Sequence, residues 1–153
     1  VGVNLQSSTC VELAKHPNIV AVKEASGNLQ QIMEILRDKP YDFDVLSGDD
    51  GITQPMMALG AKGVISVAAN GYPDVFCKMV TSMLKDEVGT ALKLHYKMLQ
   101  MNNLIFADGN PAGIKSLMAS RNLCKNILRL PLVTANENVQ NAIEKELEVM
   151  LAK

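Results

Sequence analysis

Apolar positions in the first part of the chain fall in short unbroken runs. Each run is followed by small, turn-forming residues and then by a segment whose apolar positions recur every three to four residues. Ile19 to Lys23 is the first run. Gly27 and Asn28 lead from it into a helix predicted near Leu29 to Arg37, with Ile32, Ile35 and Leu36 on its apolar side and Pro40 ending it. Asp44 to Ser47 is the second run. "GDDG" follows, then a helix to about Leu59, with Asp50 as its cap, Pro55 in the first turn and Gly60 as the left-handed stop. Gly63 to Ala68 is the third run, and its helix is predicted from about Pro73 to Lys85. Ahead of all three, Ser8 to Lys15 reads as a helix capped by Ser7 or Ser8.

Runs that alternate with helices through short loops predict right-handed βαβ units and a parallel sheet. Because the runs are continuously apolar, the strands are expected to be covered on both faces. From Val88 the pattern is helical only. A long helix is predicted over Val88 to Ala107, and a second follows Asn110-Pro111. An extended "LRLPLV" (128–133) precedes a last helix started by Thr134, with Glu137 completing a capping box and Val139, Ile143, Leu147 and Met150 on its apolar stripe. The chain thus divides into βα units over 1–87 and a helical extension over 88–153, with no glycine- or serine-rich linker between them.

The 153 residues suit one domain with a real core, and at 48% hydrophobic but 4% aromatic that core is built from aliphatic side chains and nine Met. Fifteen basic against 16 acidic residues give a net charge of −1, which argues against a nucleic-acid surface. No apolar run approaches the roughly 20 residues needed to cross a bilayer, and no signal peptide opens the sequence, so a cytoplasmic location and no membrane partner are expected. Cys10, Cys77 and Cys124 are odd in number and widely spaced, as for free thiols in a reducing compartment. Two distant histidines and no CxxC argue against a structural zinc site. The start at Val1 in "VGVNL" reads as a piece of something longer.

The candidate chemistry centres on Lys23. Lysine is among the residues least often buried, yet it ends a core strand here, on the face shared by Ile19 and the small Ala21. If that face points into a barrel, the amine stands at the C-terminal mouth, where such barrels keep their chemistry. A free lysine, with pKa near 10.4, is neutral in only roughly one molecule in 2,500 at pH 7, and burial raises that fraction and the amine's nucleophilicity towards carbonyls. The plainer alternative is a strand-end lysine paired with an acid or reaching solvent. In "SGDDG" (47–51) one aspartate as a helix cap and the other in solvent is the simpler expectation, although Gly48 would let a ligand approach the backbone. "GAKGVIS" (60–66) lacks the order of a phosphate loop and precedes a strand. His16 and His95 are expected on the surface or satisfied in the core, the methionines from Met98 to Met101 in packing, and no nucleophile elbow is present.

Taken together, "NIVAVKEASGN", "VLSGDDGITQPMMALGAKGVISVAAN", "NPAGIKSLM" and "LRLPLV" resemble, in order and across nearly the whole chain, the dihydrodipicolinate synthase family of pyruvate-dependent Schiff-base lyases. Related N-acetylneuraminate lyases share the lysine strand, but "SGDD" with "GVISVAAN" looks like the synthase branch. The resemblance implies an α/β fold: the C-terminal portion of a (β/α)8 TIM barrel, its last three strands, with a C-terminal α-helical extension. It implies that Lys23 forms an imine with pyruvate, that the Ile65 main chain lines the pyruvate site and that Gly48 borders the pocket. The implied reaction condenses pyruvate with aspartate semialdehyde to 4-hydroxy-tetrahydrodipicolinate, on the way to lysine. No metal or organic cofactor is implied, because the protonated imine is itself the electron sink.

Family members also carry five earlier strands, a threonine pair for the pyruvate carboxylate, a proton-relaying tyrosine and an arginine for the second substrate, none of which lies in this sequence. A whole barrel takes about 250 residues, so three strands leave open edges. The chain is therefore expected to need the N-terminal half of a barrel as a partner or to associate with copies of itself, to be inactive or nearly so alone, and to follow the family into homo-oligomers. Its rivals are another pyruvate lyase, acting on N-acetylneuraminate or keto-sugar acids, and a non-catalytic α/β assembly fragment.

Overall fold

The structure, a computed structural model, describes residues 3–152; Val1 and Gly2 of the opening "VGVNL" lie outside the described residues. Its three strands among those residues are β1 (Ala21–Glu24), β2 (Asp44–Ser47) and β3 (Gly63–Val64), parallel and in the order β1-β2-β3. α1 (Ser7–Ala14) precedes the sheet, α2 (Leu29–Asp38) connects β1 to β2, and α3 (Thr53–Ala58) connects β2 to β3. α4 (Pro73–Leu84), α5 (Val88–Leu104), α6 (Ala112–Ser120) and α7 (Glu137–Ala152) complete the chain. None of these helices is long and apolar enough to cross a membrane.

Register decides which side chains share a face. Lys23 lies opposite Leu46, and Leu46 opposite Gly63, so these three point to one side. Val22, Val45 and Val64 point to the other, into a core with Ile32 and Ile35 of α2 and Met56 of α3. The remaining core runs between α4, α5 and α7 and is built on Phe76, Met79, Met98, Met101, Ile105 and Ile143. Met98 and Met101 are fully buried, so the methionines do pack. The face carrying Lys23 is uncovered among the described residues. This corrects the expectation of strands covered on both sides: Ile65 is half exposed and Leu46 only partly buried.

Other expectations are corrected locally. β3 ends at Val64, not Ala68, because the backbone turns into a 3-10 turn at Ala68–Asn70. Ser7 and Ser8 cap nothing; the Ser7 hydroxyl donates to Glu34 Oε2 at 2.6 Å and ties α1 to α2. Asn28 does cap α2, its Oδ1 accepting from the amides of Gln30 and Gln31. Thr134 does not start the last helix. Asn136 does, accepting from Val139 N at 3.1 Å while Asp108 Oδ2 accepts from the Asn136 backbone and side-chain nitrogens. Within 128–133 a turn interrupts the expected extended run, with Leu132 N donating to Arg129 O.

Candidate active site

β1 carries Lys23 to the C-terminal end of the sheet, and the next residue anchors that end from behind. Glu24, 5% exposed, faces the helices; its carboxylate accepts from Ser26 N at 3.2 and 3.3 Å and from Gln31 Nε2 at 3.2 Å. Gln31 also exchanges hydrogen bonds with Asn4 and donates to the Leu5 carbonyl. A buried carboxylate needs such donors, and here they hold the turn that follows the lysine. Burial, and then the Glu24 charge, push the nearby Cys10 thiol up from its usual range.

Gly48, just past β2, meets Lys23 directly. Its amide donates to Glu24 O at 2.7 Å, and a Cβ placed on it would lie 2.8 Å from Lys23 Cε, 3.0 Å from Lys23 Cγ and 2.7 Å from Ala25 Cβ. The lysine stem therefore crosses the sheet over a glycine that leaves space for it. Ile65 stands past the end of β3 on the same face, its amide donating to Ser47 O at 2.8 Å. Of the three residues singled out from sequence, Lys23 and Gly48 are in contact, and Ile65 lies one strand beyond Gly48. The expectation of a buried Lys23 does not hold for this chain: the residue is exposed, because nothing among the described residues stands across the face it points into.

The two aspartates of "SGDDG" divide their tasks differently from expectation. Asp49 caps the 3-10 turn Asp50–Ile52, its Oδ1 accepting from Gly51 N at 2.9 Å. Asp50 is neither that cap nor solvated: at 2% exposure its Oδ2 accepts from Val67 N and Ala68 N. Asn102 of α5 donates to the Asp50 carbonyl and accepts from the Tyr72 hydroxyl at 2.7 Å, and burial together with the Asp50 charge raises the Tyr72 phenol well above its ordinary value. A cavity of about 410 Å³ opens here between the sheet loops (Ala25, Gly48, Asp49, Gly51) and the end of α5 (Asn102, Asn103, Phe106). A second, of about 550 Å³, follows the edge of β1 past Leu5, Lys23, Glu24 and Ser26.

Sequence reasoning missed Glu24, Gln31, Tyr72 and Asn102. One of them had a legible signal: Asn102 interrupts the buried stripe of Met98, Met101 and Ile105, and a polar residue on such a stripe must find partners. His16 is at the surface, its Nδ1 accepting from Asn18 N. His95 is buried, but its Nδ1 has no hydrogen-bond partner among the described residues, so it is not the satisfied core histidine expected.

Comparisons with known proteins were consistent with one another. The model of the dihydrodipicolinate synthetase family matches residues 1–150. The 4-hydroxy-tetrahydrodipicolinate synthase of Phocaeicola vulgatus is 48% identical over 133 residues, 86% of this chain and 45% of the relative. That of Flavobacterium psychrophilum is 44% identical over 142 residues, 92% of this chain and 48% of the relative. Among solved structures, dihydrodipicolinate synthase from Aquifex aeolicus superposes with a TM-score of 0.89 at 36% identity, covering 94% of this chain and 50% of that one. The Thermotoga maritima structure gives 0.95 at 28% identity, with 99% and 53% covered. The chain thus spans about half the length of the relatives it matches.

Proposed function

The chain belongs to the dihydrodipicolinate synthetase family, and from that premise we propose that it supplies the lysine-bearing part of a 4-hydroxy-tetrahydrodipicolinate synthase. In this reading residues 1–87 are the last three βα units of a (β/α)8 barrel and residues 88–153 its helical extension. The remaining strands, or a further copy of the chain, close the open face, in a cytoplasmic homo-oligomer.

The chemistry follows from one amine. Lys23 Nζ attacks the ketone carbon of pyruvate, and loss of water gives a protonated imine. A methyl proton leaves, the electron pair enters the imine, and the resulting enamine adds through that carbon to the aldehyde of aspartate semialdehyde. The product's own amine then attacks the imine carbon and displaces Lys23, closing the ring of 4-hydroxy-tetrahydrodipicolinate. Gly48 gives the lysine stem its path, and the main chain at Ile65 borders the pyruvate side. The observation that carries this reading is the contact of Lys23 with Gly48 on the open face at the C-terminal end of the sheet. The exposure of Lys23 supports a second element of the proposal, that the chain alone turns over little: nothing among the described residues keeps water from the amine.

Incubation with pyruvate and borohydride, followed by mass mapping, tests it. A reduced pyruvate adduct on Lys23, absent from Lys23→Arg and enhanced when the remaining half of a family barrel is supplied, is the expected result. No adduct on Lys23 even with that half present overturns it. Offering N-acetylmannosamine in place of aspartate semialdehyde to the completed protein separates the synthase from a neuraminate lyase.

A further inference from the structure

We infer that Asp50 and Asn102 are positioning residues, through which α5 sets where the loop after β3, and with it the Ile65 main chain, sits at the site. The inference rests on the proposed function only for what that loop borders; the coupling itself is a property of the fold.

Three observations carry it. First, the loop is pinned at both ends. Ile65 N donates to Ser47 O at 2.8 Å, while Val67 N and Ala68 N donate at 3.0 and 2.8 Å to the same oxygen, Asp50 Oδ2. Ala68 is fully buried and Val67 partly so; without Asp50 the Ala68 amide would be a donor with no acceptor in a dry place. Second, Asp50 is itself held by α5: its carbonyl accepts from Asn102 Nδ2 at 3.4 Å, and Asn102 Oδ1 accepts from Tyr72 OH at 2.7 Å. Asp50, Asn102 and Tyr72 are each 2 to 3% exposed. One carboxamide therefore joins the loop after β2, the start of α4 and the helical extension. Third, Asp50 Oδ1 has no hydrogen-bond partner among the described residues. Both amide bonds use the other oxygen, so acceptor geometry, not the carboxylate's second oxygen, is what the loop draws on. Asparagine at this position retains that acceptor.

Amide hydrogen exchange on the chain, resolved by NMR, tests the coupling. Asp50→Ala raises exchange at Val67 and Ala68 by about tenfold or more, the consequence of losing one buried acceptor, while Ile32 and Ile35 in α2 keep wild-type rates. Asp50→Asn restores most of the protection. Asn102→Ala, which touches neither amide, raises exchange at the same two positions. Unchanged exchange at Val67 and Ala68 in Asn102→Ala overturns the inference. If Asn102→Ala instead loosens every amide, α2 included, the milder Tyr72→Phe decides: faster exchange confined to Val67 and Ala68 supports the coupling, and no local change refutes it. On protein whose Lys23 traps pyruvate, the same variants raise the pyruvate concentration needed for half-maximal trapping and leave the final yield unchanged. A wild-type protein that traps no pyruvate would sink the proposed function and leave the exchange result standing.

Discussion

Adding one methyl group at Gly48 separates steric room at the site from overall stability. Gly48→Ala places a Cβ 2.7 Å from Ala25 Cβ, 2.8 Å from Lys23 Cε and 3.0 Å from Lys23 Cγ. Carbon pairs are comfortable at about 3.5–4.0 Å, so each contact is roughly 0.5–1 Å too close. The two neighbours respond differently. Lys23 is exposed and rotates its stem away, which costs the fold little. Ala25 Cβ has no torsion to turn and moves only with its backbone, which Glu24 fixes through Ser26 N. Overpacking typically costs about 1–3 kcal/mol, and with half of this clash relieved by a free side chain the low end applies, about 1 kcal/mol. For a chain of this size that lowers Tm by about 2–4 °C. The amine, by contrast, is displaced by about the overlap, and a misplacement of about 1 Å at a reacting group costs on the order of 100-fold in rate.

The assay is the initial rate of borohydride-trapped pyruvate adduct, run beside a thermal melt. The expected outcome is a trapping rate about two orders of magnitude lower in a protein with near-wild-type circular dichroism. Wild-type trapping in Gly48→Ala would refute the claim that the missing side chain makes the lysine's path. Loss of trapping together with loss of folded signal would refute the claim that Lys23 absorbs the clash.

Four further outcomes are expected. Gly113→Ala brings a Cβ to 2.6 and 2.7 Å from the carbonyl carbon and Cα of Ile105, backbone atoms that no rotamer relieves, so its cost reaches or exceeds the usual overpacking range of about 1–3 kcal/mol. Gly89→Ala, whose new methyl meets no other part of the fold within 4 Å among the described residues, instead raises Tm in the same melt, reflecting the about 0.5–1 kcal/mol that alanine gains over glycine in a helix. Asn136→Ala removes the α7 cap and lowers stability by about 0.5–2 kcal/mol in urea denaturation, whereas Thr134→Ala is close to neutral. Burial lowers the His95 pKa below its ordinary value of 6.5, so the folded state resists a proton that the unfolded chain accepts. Its stabilising contribution is complete above about pH 6.5 and is lost as pH falls from there through the folded-state value. Urea midpoints between pH 7.5 and 5 fall less steeply in His95→Leu than in wild type, and equal slopes would refute this.

Much of the framework was legible because its signals are local. Asn28 before the apolar face of α2, and Gly60 after α3 with φ of +114°, each declare a helix end through the hydrogen bonding or backbone conformation of one residue. Errors arose where the deciding partner was remote in sequence. "GVISVA" has the composition of a strand throughout, but the amides of Val67 and Ala68 are taken by Asp50, 17 and 18 residues earlier, and the ladder stops. Thr134 and Glu137 have capping-box spacing, yet Asp108 fixes Asn136 and the helix starts there. Period-two alternation on β1 puts Lys23 on the face away from Val22 and Glu24, in agreement with the strand register. Its degree of burial was not legible, because that depends on what stands across the sheet.

That dependence divides the labour at the site. Direction, room and anchoring of the lysine come from short-range features of this chain: strand register, the glycine at position 48, and the Glu24 carboxylate behind the strand end. Dryness does not. Desolvation shifts an amine towards its neutral, nucleophilic form only when low-dielectric matter surrounds it, and Lys23 stands on an open face. Covering that face with apolar surface would desolvate the amine without moving a residue of β1, β2 or β3. Adduct formation by the chain alone should therefore be slow, and it should speed up when the opposing half is supplied. A trapping rate that is identical with and without the opposing half would show that covering the face leaves the amine's environment as it was.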